Sequence, residues 1–244
     1  LCEKALGIVL KSLGAGHLDV AIIHENIGNI HGQKGEQAKS TRSHQKALGI
    51  RLKTYGPEHP LVADTYSHLG VACYFKDEFD EAFRHHEKSL NIRLKVLDPE
   101  HPDIASNYAN LGLVHGSQGD HEKAIKYYRK SLAIQMKVLG PMHPAVASNY
   151  KNLGELFDTM GEGVRSLGYF EKSLAIALEA LGSKHPDVAA NYECLGMAHD
   201  RVGAHEKAIN YLEESLAISL ERFGPEHLRI ARCYKKLASG FQAQ

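Results

Sequence analysis

Histidine recurs at one fixed interval along this 244-residue chain, and imidazole is a common metal ligand. The interval is 42 residues, as from His17 to His59 and from His185 to His227. The six members of the series are His17, His59, His101, His143, His185 and His227. Zinc ligands must converge within ~2 Å of one ion, whereas residues one repeat apart are separated by a whole structural unit. The series therefore predicts the cap or joint of a repeating scaffold, and we expect neither a metal nor another cofactor.

The remaining histidines also favour structural roles. His85 and His86 are adjacent, so on a helix they point in different directions, and we expect a solvated face there. His115 and His199 occupy a repeat position that Phe157 also occupies, which indicates that they replace a core aromatic residue. The sequence has no glycine-rich phosphate loop, nucleophile elbow or HExxH-type zinc helix. We therefore expect no enzyme activity.

The overall composition excludes several further classes of function. Lys and Arg together number 29, as do Asp and Glu, so no charge excess favours nucleic acid or an anionic membrane. No apolar run approaches the ~20 residues that span a bilayer, and the first residues lack the features of a signal peptide. The four cysteines show no paired spacing, which is typical of a reducing compartment. These features predict a cytoplasmic protein. Because the sequence does not begin with Met, we expect a fragment of a longer chain.

One repeat can be interpreted as a hairpin of two helices. Pro102 suits the first position of a helix, and Asp103 places negative charge on its first turn. Gly119 can adopt the left-handed conformation that ends this helix, and Gly140-Pro141 stops the second one. By the same pattern, first helices are predicted near residues 18–33, 60–75, 102–117, 144–159, 186–201 and 228–242.

Apolar residues recur at the same places in every hairpin. Leu111-Gly112 belongs to a series in which Gly is expected where two helices approach closely, and Tyr108 precedes that Leu by three residues. A single hairpin cannot bury its apolar face, but stacked neighbours form a continuous core. We therefore predict one solenoid over residues 1–244. Its parts are a partial second helix (1–13), five full hairpins (about 18–225) and a final first helix (226–244).

The recurring residues resemble the tetratricopeptide repeat, with Tyr in the usual place of Trp. The matching residues of the third repeat are Tyr108, Leu111, Gly112, His115, Ala124 and Tyr128. The 42-residue period exceeds the usual 34 and is similar to that of kinesin light chains and nephrocystin-3-like proteins. The resemblance implies an all-α, right-handed superhelix of antiparallel helix pairs. It also implies that the first helices line a concave groove, in which a protein or peptide partner binds.

Two sets of residues stand out at the positions expected to face this groove. Asn26, Asn110 and Asn152 share one helix position with His68, and an Asn ladder can pair with the backbone of an extended peptide. A solvated polar groove without a ligand is the alternative. Apolar side chains recur one turn later, where they form either an interaction surface or a contact with the adjacent helix. The predicted peptide-binding residues are Asn26, Asn29, His68, Val71, Asn110, Leu113, Lys151, Asn152, Glu155 and Met197.

One activity known in the tetratricopeptide family is not expected. The carboxylate clamp that holds acidic tails of heat-shock chaperones needs Lys just after the aromatic residue and Asn just after the Gly of one repeat. The corresponding pairs here are Glu25/Asn29, Ser67/Val71, Ala109/Leu113, Lys151/Glu155 and Glu193/Met197. No repeat combines Lys with Asn, so the clamp is predicted to be absent.

A structural role without a dedicated peptide ligand is the alternative function. Residues 1–13 resemble the later part of a second helix, whereas 228–242 form a first helix that lacks its partner. The ends are complementary, which predicts head-to-tail self-association, with a truncated monomer as the other possibility.

The fourth hairpin departs from the pattern. Its turn reads "GEGVRSLGYF", so that Gly163 and Gly168 replace residues that favour helix more strongly. We predict that this second helix starts late or frays first.

Overall fold

The computed structural model describes residues 2–227, 230–231 and 233–236. Residues 230–231 and 233–236 are helical, and no β-strand occurs anywhere in the described residues. The helices with defined bounds are α1 (Cys2–Leu13), α2 (Leu18–Gln33), α3 (Gln37–Tyr55), α4 (Pro60–Tyr74), α5 (Phe79–Val96), α6 (Pro102–Ser117), α7 (His121–Val138), α8 (Pro144–Thr159), α9 (Gly163–Leu181), α10 (Pro186–Arg201) and α11 (His205–Phe223). The predicted all-α architecture is confirmed.

The first helices of the hairpins begin and end almost where the repeat pattern predicts. α2, α6, α8 and α10 have the predicted bounds, and α4 ends one residue early, at Tyr74. The sixth predicted first helix, 228–242, extends beyond the described residues.

The recurring histidine caps these first helices. At five positions its ring Nδ1 accepts a hydrogen bond from the backbone N–H two residues later, at 3.1 to 3.2 Å. The capping residues are His17, His59, His101, His143 and His185. A side-chain acceptor satisfies one of the amide groups that a helix N-terminus leaves unpaired. The structural role predicted for the series is confirmed at these five positions.

The chain divides into two compact units, residues 1–131 (unit 1) and 132–244 (unit 2), and α7 contributes to both. In unit 1, α2 pairs with α3 and α4 with α5, while α3 also contacts α4 and α5 contacts α6. In unit 2, α8 pairs with α9 and α10 with α11, and α9 also contacts α10. Each unit is therefore a stack of successive helix pairs.

A glycine at the centre of each pair allows its two helices to approach closely. At Gly154 of α8, a Cβ atom would lie 2.6 Å from the ring of Phe170 on α9. The same conflict arises at Gly28 with His44 and at Gly70 with His86. A distance of 2.6 Å is far below normal van der Waals contact, so a side chain here would force the helices apart. The close approach predicted for the Leu-Gly series is confirmed.

The turn inside each hairpin requires a left-handed residue. Gly119 has φ 80°, and the equivalent position in the second hairpin is occupied by Asp77, with φ 60°. Only Gly adopts this conformation without steric cost, although Asp tolerates it better than most residues.

Two expectations about local structure were wrong. His86 is 1% exposed and packs against Gly70, so it lies in the core of the hairpin and not on a solvated face. α9 begins at Gly163, the position equivalent to the start of the other second helices, so it does not start late. Gly163 is the first residue of that helix, where a helix-interior penalty does not apply in full. Fraying of this helix stays a prediction.

The expectation that histidine replaces a core aromatic residue is confirmed. His115 stacks on Tyr127 with ring centroids 5.5 Å apart, as Phe157 stacks on Tyr169 at 5.3 Å. His199 stacks on Tyr211 in the same way. The imidazole therefore serves as a flat ring in these hairpins.

Among the described residues, no helix is both long enough and apolar enough to cross a membrane.

Candidate peptide-binding clefts

Unit 1 contains an open cleft of about 560 Å³ between α2, α3 and α4. This unit-1 cleft is lined by Asn29, Gly32, Gln33, Gln37, Ser40, His44, His68, Val71, Ala72 and Phe75. Its apolar wall is formed by Val71 and Phe75, which are 37% and 63% exposed. The volume lies in the range of small-ligand and peptide-anchor sites, and the amide groups supply both donors and acceptors.

Unit 2 contains a second cleft, of about 410 Å³, which has a different chemistry. This unit-2 cleft is lined by Lys151, Glu155, Asp158, Thr159, Phe170, Ala190, Glu193, Cys194, Met197, Arg201 and Lys236. Among the described residues, cationic and anionic side chains occur there in equal number, whereas those that line the unit-1 cleft include no Asp, Glu, Lys or Arg.

The predicted peptide-binding residues divide between these clefts and their margins. Asn29, His68 and Val71 line the unit-1 cleft. Lys151, Glu155 and Met197 line the unit-2 cleft. The other predicted residues, which line neither cleft, are Asn26, Asn110, Leu113 and Asn152.

The predicted Asn series has free side-chain amides. Asn26 is exposed, and Asn110 and Asn152 are half-buried. Within the described part of the chain, none of these three amides has a hydrogen-bond partner. On α2, Asn26 precedes Asn29 by three residues and Gln33 by seven, so the three lie on one helix face. The amides are thus available to a ligand that runs beside the unit-1 cleft.

A polar contact joins α2 to α4 at the end of the unit-1 cleft. Glu25 accepts a hydrogen bond from His68 Nδ1 at 3.2 Å and two from Arg51, at 2.8 and 2.6 Å. Burial alone would raise the pKa of Glu25, but the hydrogen bonds from His68 and Arg51 outweigh it and lower that pKa to about 2. Glu25 is therefore a structural carboxylate that stays ionised.

Contacts of the same spacing recur on other first helices. Glu25 and His68 are 43 residues apart, as are Tyr74 and Ser117, whose hydroxyl groups lie 3.0 Å apart. In unit 2, the same spacing joins Asp158 to Arg201 and Glu193 to Lys236. One repeat plus one residue is therefore an offset at which side chains of neighbouring first helices meet repeatedly.

These charged contacts were not part of the site that the sequence analysis predicts, although the sequence contains a signal for them. In the sequence, Asp158 and Arg201 carry opposite charges and are 43 residues apart, and so are Glu193 and Lys236. The contributions of Gln37, Ser40 and His44 to the unit-1 cleft were also missed. These three residues belong to α3, a second helix, and only first helices had been considered.

The thiol in the unit-2 cleft is not a reactive group. Burial, followed by the Glu155 carboxylate, raises the pKa of Cys194 to about 12. Its Sγ donates to Glu155 Oε1 at 3.8 Å, so the thiol stays protonated near neutral pH. No group of three His, Cys, Asp or Glu residues in the described parts of the chain is arranged to hold a metal ion.

A family model matches most of the chain. The tetratricopeptide repeat model covers four overlapping stretches, residues 38–95, 74–136, 103–163 and 160–221. No curated protein matches.

Solved structures share the fold at low sequence identity. BtubC (BKLC) from P. vanneervenii has a TM-score of 0.70 and 22% identity, over 93% of this chain and 90% of its own. A putative kinesin light chain from P. anserina with nearly identical repeats has a TM-score of 0.65 and 23% identity, over 85% and 98% of the two chains. The expected resemblance to tetratricopeptide repeats of the kinesin-light-chain type is thereby confirmed.

Proposed function

The chain belongs to the tetratricopeptide repeat family, and from this premise we propose that it is a non-enzymatic scaffold that binds an extended peptide segment of a partner protein. Tetratricopeptide repeats are in general protein-interaction scaffolds. Within a unit, the peptide lies along the first helices, over the cleft of that unit. Its backbone is held by Asn side chains, and its side chains enter the clefts.

The observation that carries this proposal is the set of free amides at one repeat position. Asn26, Asn110 and Asn152 occupy equivalent places on α2, α6 and α8 and lack partners within the described residues. Asn has low helix propensity and usually hydrogen-bonds to nearby backbone when it is free to do so. Each amide offers one acceptor and two donor hydrogens, which suits the alternating C=O and N–H groups of an extended backbone.

Selection of short random peptides displayed on phage, with the whole chain as bait, tests the proposal. Peptides that bind should lose affinity about tenfold in the Asn26→Ala plus Asn110→Ala variant, since each amide–backbone hydrogen bond contributes ~0.5–1.5 kcal/mol. Asn91→Ala is the matched control, because Asn91 is exposed on the second helix α5 and lines neither cleft. Circular dichroism verifies that each variant is folded.

Failure to enrich any peptide over a bait-free selection would count against the proposal. Equal weakening by the Asn91→Ala control would also contradict it, because the loss would then be unrelated to the clefts. Head-to-tail self-association, the alternative function, stays a prediction that sedimentation at several concentrations can test.

A further inference from the structure

We propose that the unit-1 cleft selects an apolar side chain within an uncharged part of the bound peptide. This inference rests on the proposed function and specifies which segment of the peptide the unit-1 cleft accepts.

The first line of support is the charge of the lining. The unit-1 cleft is lined by amide, hydroxyl, imidazole and apolar groups, and no Asp, Glu, Lys or Arg is among the described residues that line it. A peptide carboxylate or ammonium group entering the cleft would lose water without gaining a counter-charge there, which is costly. The nearby carboxylate of Glu25 is already paired with Arg51 and His68 and is not free to serve as one.

The second line of support is the exposed apolar wall. Val71 lies in the last turn of α4 and Phe75 is the residue that caps the end of this helix; both remain exposed beside the polar groups of Asn29 and Gln33. Apolar side chains grouped in a concave site are typical of an interaction surface. A Leu, Ile, Met or Phe side chain of the peptide would cover this wall, and the adjacent amides would pair with the flanking peptide groups.

The third line of support comes from the equivalent positions of unit 2. Two repeats later, the place of Val71 is taken by Glu155 and the place of Phe75 by Thr159. Both of these residues line the unit-2 cleft and are exposed, so a helix of the same architecture tolerates polar residues there. Packing therefore does not require Val71 and Phe75 to be apolar, which leaves a role in binding.

The test exchanges the unit-1 wall for its unit-2 equivalent. In the Val71→Glu plus Phe75→Thr variant, both new residues are those found at the same register positions two repeats later. Peptides selected on the unmodified protein should contain an apolar residue flanked by uncharged ones, and fluorescence anisotropy should show about tenfold or more weaker binding to the variant. Val164→Thr is the control, because Val164 is exposed on α9 and lines neither cleft.

A second measurement changes the peptide and keeps the protein. Replacing the apolar residue of a selected peptide by Glu or by Lys should weaken binding by a similar factor in both cases. If only the Glu peptide or only the Lys peptide binds more weakly, the inference is overturned, because the cleft must then contain a charged group that pairs with the other peptide.

The outcomes separate this inference from the proposed function. If peptides bind and depend on Asn26 and Asn110, but the Val71→Glu plus Phe75→Thr variant binds them equally well, the inference is wrong and the scaffold function stands. If no peptide is enriched at all, both are wrong. If circular dichroism shows that the double variant is unfolded, the inference is tested with the single variant Phe75→Thr and with the Glu-substituted peptides.

Discussion

The guanidinium of Arg51 on α3 donates two hydrogen bonds to the carboxylate of Glu25 on α2, at 2.8 and 2.6 Å. The same guanidinium donates to Thr65 Oγ1 at 2.7 Å and to the carbonyl oxygen of Leu61 at 2.9 Å, both on α4. Arg51 is only 3% exposed. One buried side chain therefore links three helices and two successive hairpins of unit 1.

Removal of this link should destabilise unit 1 strongly. Arg51→Ala leaves the half-buried Glu25 without its main cationic partner and deprives Thr65 of a donor, so we expect a loss of about 3–5 kcal/mol in the free energy of unfolding. Urea unfolding followed by circular dichroism measures the loss. Arg84→Ala serves as the control, because its pair with Glu81 is exposed and contributes about 0–0.5 kcal/mol. A cost below about 1 kcal/mol for Arg51→Ala would show that the link is not stabilising.

Two glycines of unit 2 should respond to alanine in opposite directions. Gly154→Ala brings a Cβ to 2.6 Å from the Phe170 ring and should cost about 1–3 kcal/mol. Gly168→Ala adds a Cβ with nothing within 4 Å, inside helix α9, and should stabilise by about 0.5–1 kcal/mol. Thermal and urea unfolding of both variants test this pair.

The Gly168→Ala variant also serves to test the predicted fraying of α9. Amide hydrogen exchange in 162–170 should be faster than in the equivalent segment 120–128, and Gly168→Ala should slow it. Exchange that is equal in the two segments of the unmodified protein would contradict the prediction.

The fold was predictable because its determinants recur. Local signals such as Pro102 after His101 mark helix starts, and Gly119 marks a turn, so five copies of the same pattern reinforced each interpretation. His86 was misjudged because its adjacency to His85 was considered and not its repeat position, which is that of Tyr128 and faces Gly70 across the hairpin. The ring fills the space that Tyr128 and its equivalents fill in other repeats.

The site was predictable only in part, because the residues that line the two clefts differ from one repeat to the next. Asn29, His68 and Val71, which were predicted from their distance to the Leu-Gly pair, line the unit-1 cleft. The role of Arg51 was missed because only Arg93, one repeat later, repeats it, in contacts with Asp64 and Asn107. The side-chain partners differ between the two copies, so the repeat pattern marks the arginine position without identifying the residues that it contacts.

The left-handed turn position offers a fourth prediction. Asp77 has φ 60° where the other hairpins have Gly, so Asp77→Gly should be neutral or stabilise by up to about 1 kcal/mol. Gly119→Ala, at φ 80° in the next hairpin, should instead cost about 1 kcal/mol. The urea midpoint should therefore fall for Gly119→Ala, whereas it should stay the same or rise for Asp77→Gly. If Asp77→Gly is instead destabilised, the interactions of the Asp side chain stabilise the fold by more than the left-handed backbone conformation destabilises it.

The buried histidines of unit 1 should make it sensitive to acid. His44 and His86 are 2% and 1% exposed, and the Nδ1 atom of each has no partner within the described residues. Burial, with the neighbouring His68 and Arg51, lowers the pKa of His44 to about 4, although Glu25 opposes the shift.

For His86, burial with the adjacent His85 and Arg93 likewise lowers the pKa to about 4. In the unfolded chain, both pKa values return to about 6.5. The unfolded state therefore binds more protons between pH 6.5 and 4. The free energy of unfolding is therefore highest above pH 6.5. As the pH falls from there towards 4, it decreases by about 1.4 kcal/mol per pH unit for each histidine.

Replacement of both rings should remove most of this dependence. The place of His86 is taken one repeat later by Tyr128, so His44→Tyr plus His86→Tyr keeps an aromatic ring at each site without a titrating nitrogen. The free energy of unfolding, measured in urea at about pH 7 and about pH 5, should fall by several kcal/mol in the unmodified protein and much less in the variant.

His143→Asn, which retains a side-chain cap on α8, is the control and should keep the full dependence. An unchanged pH dependence in the double Tyr variant would assign the acid sensitivity to other groups. Glu25 is not among them in this interval, because its stabilising contribution is lost only below pH 4.5, as the pH falls towards its folded pKa of about 2.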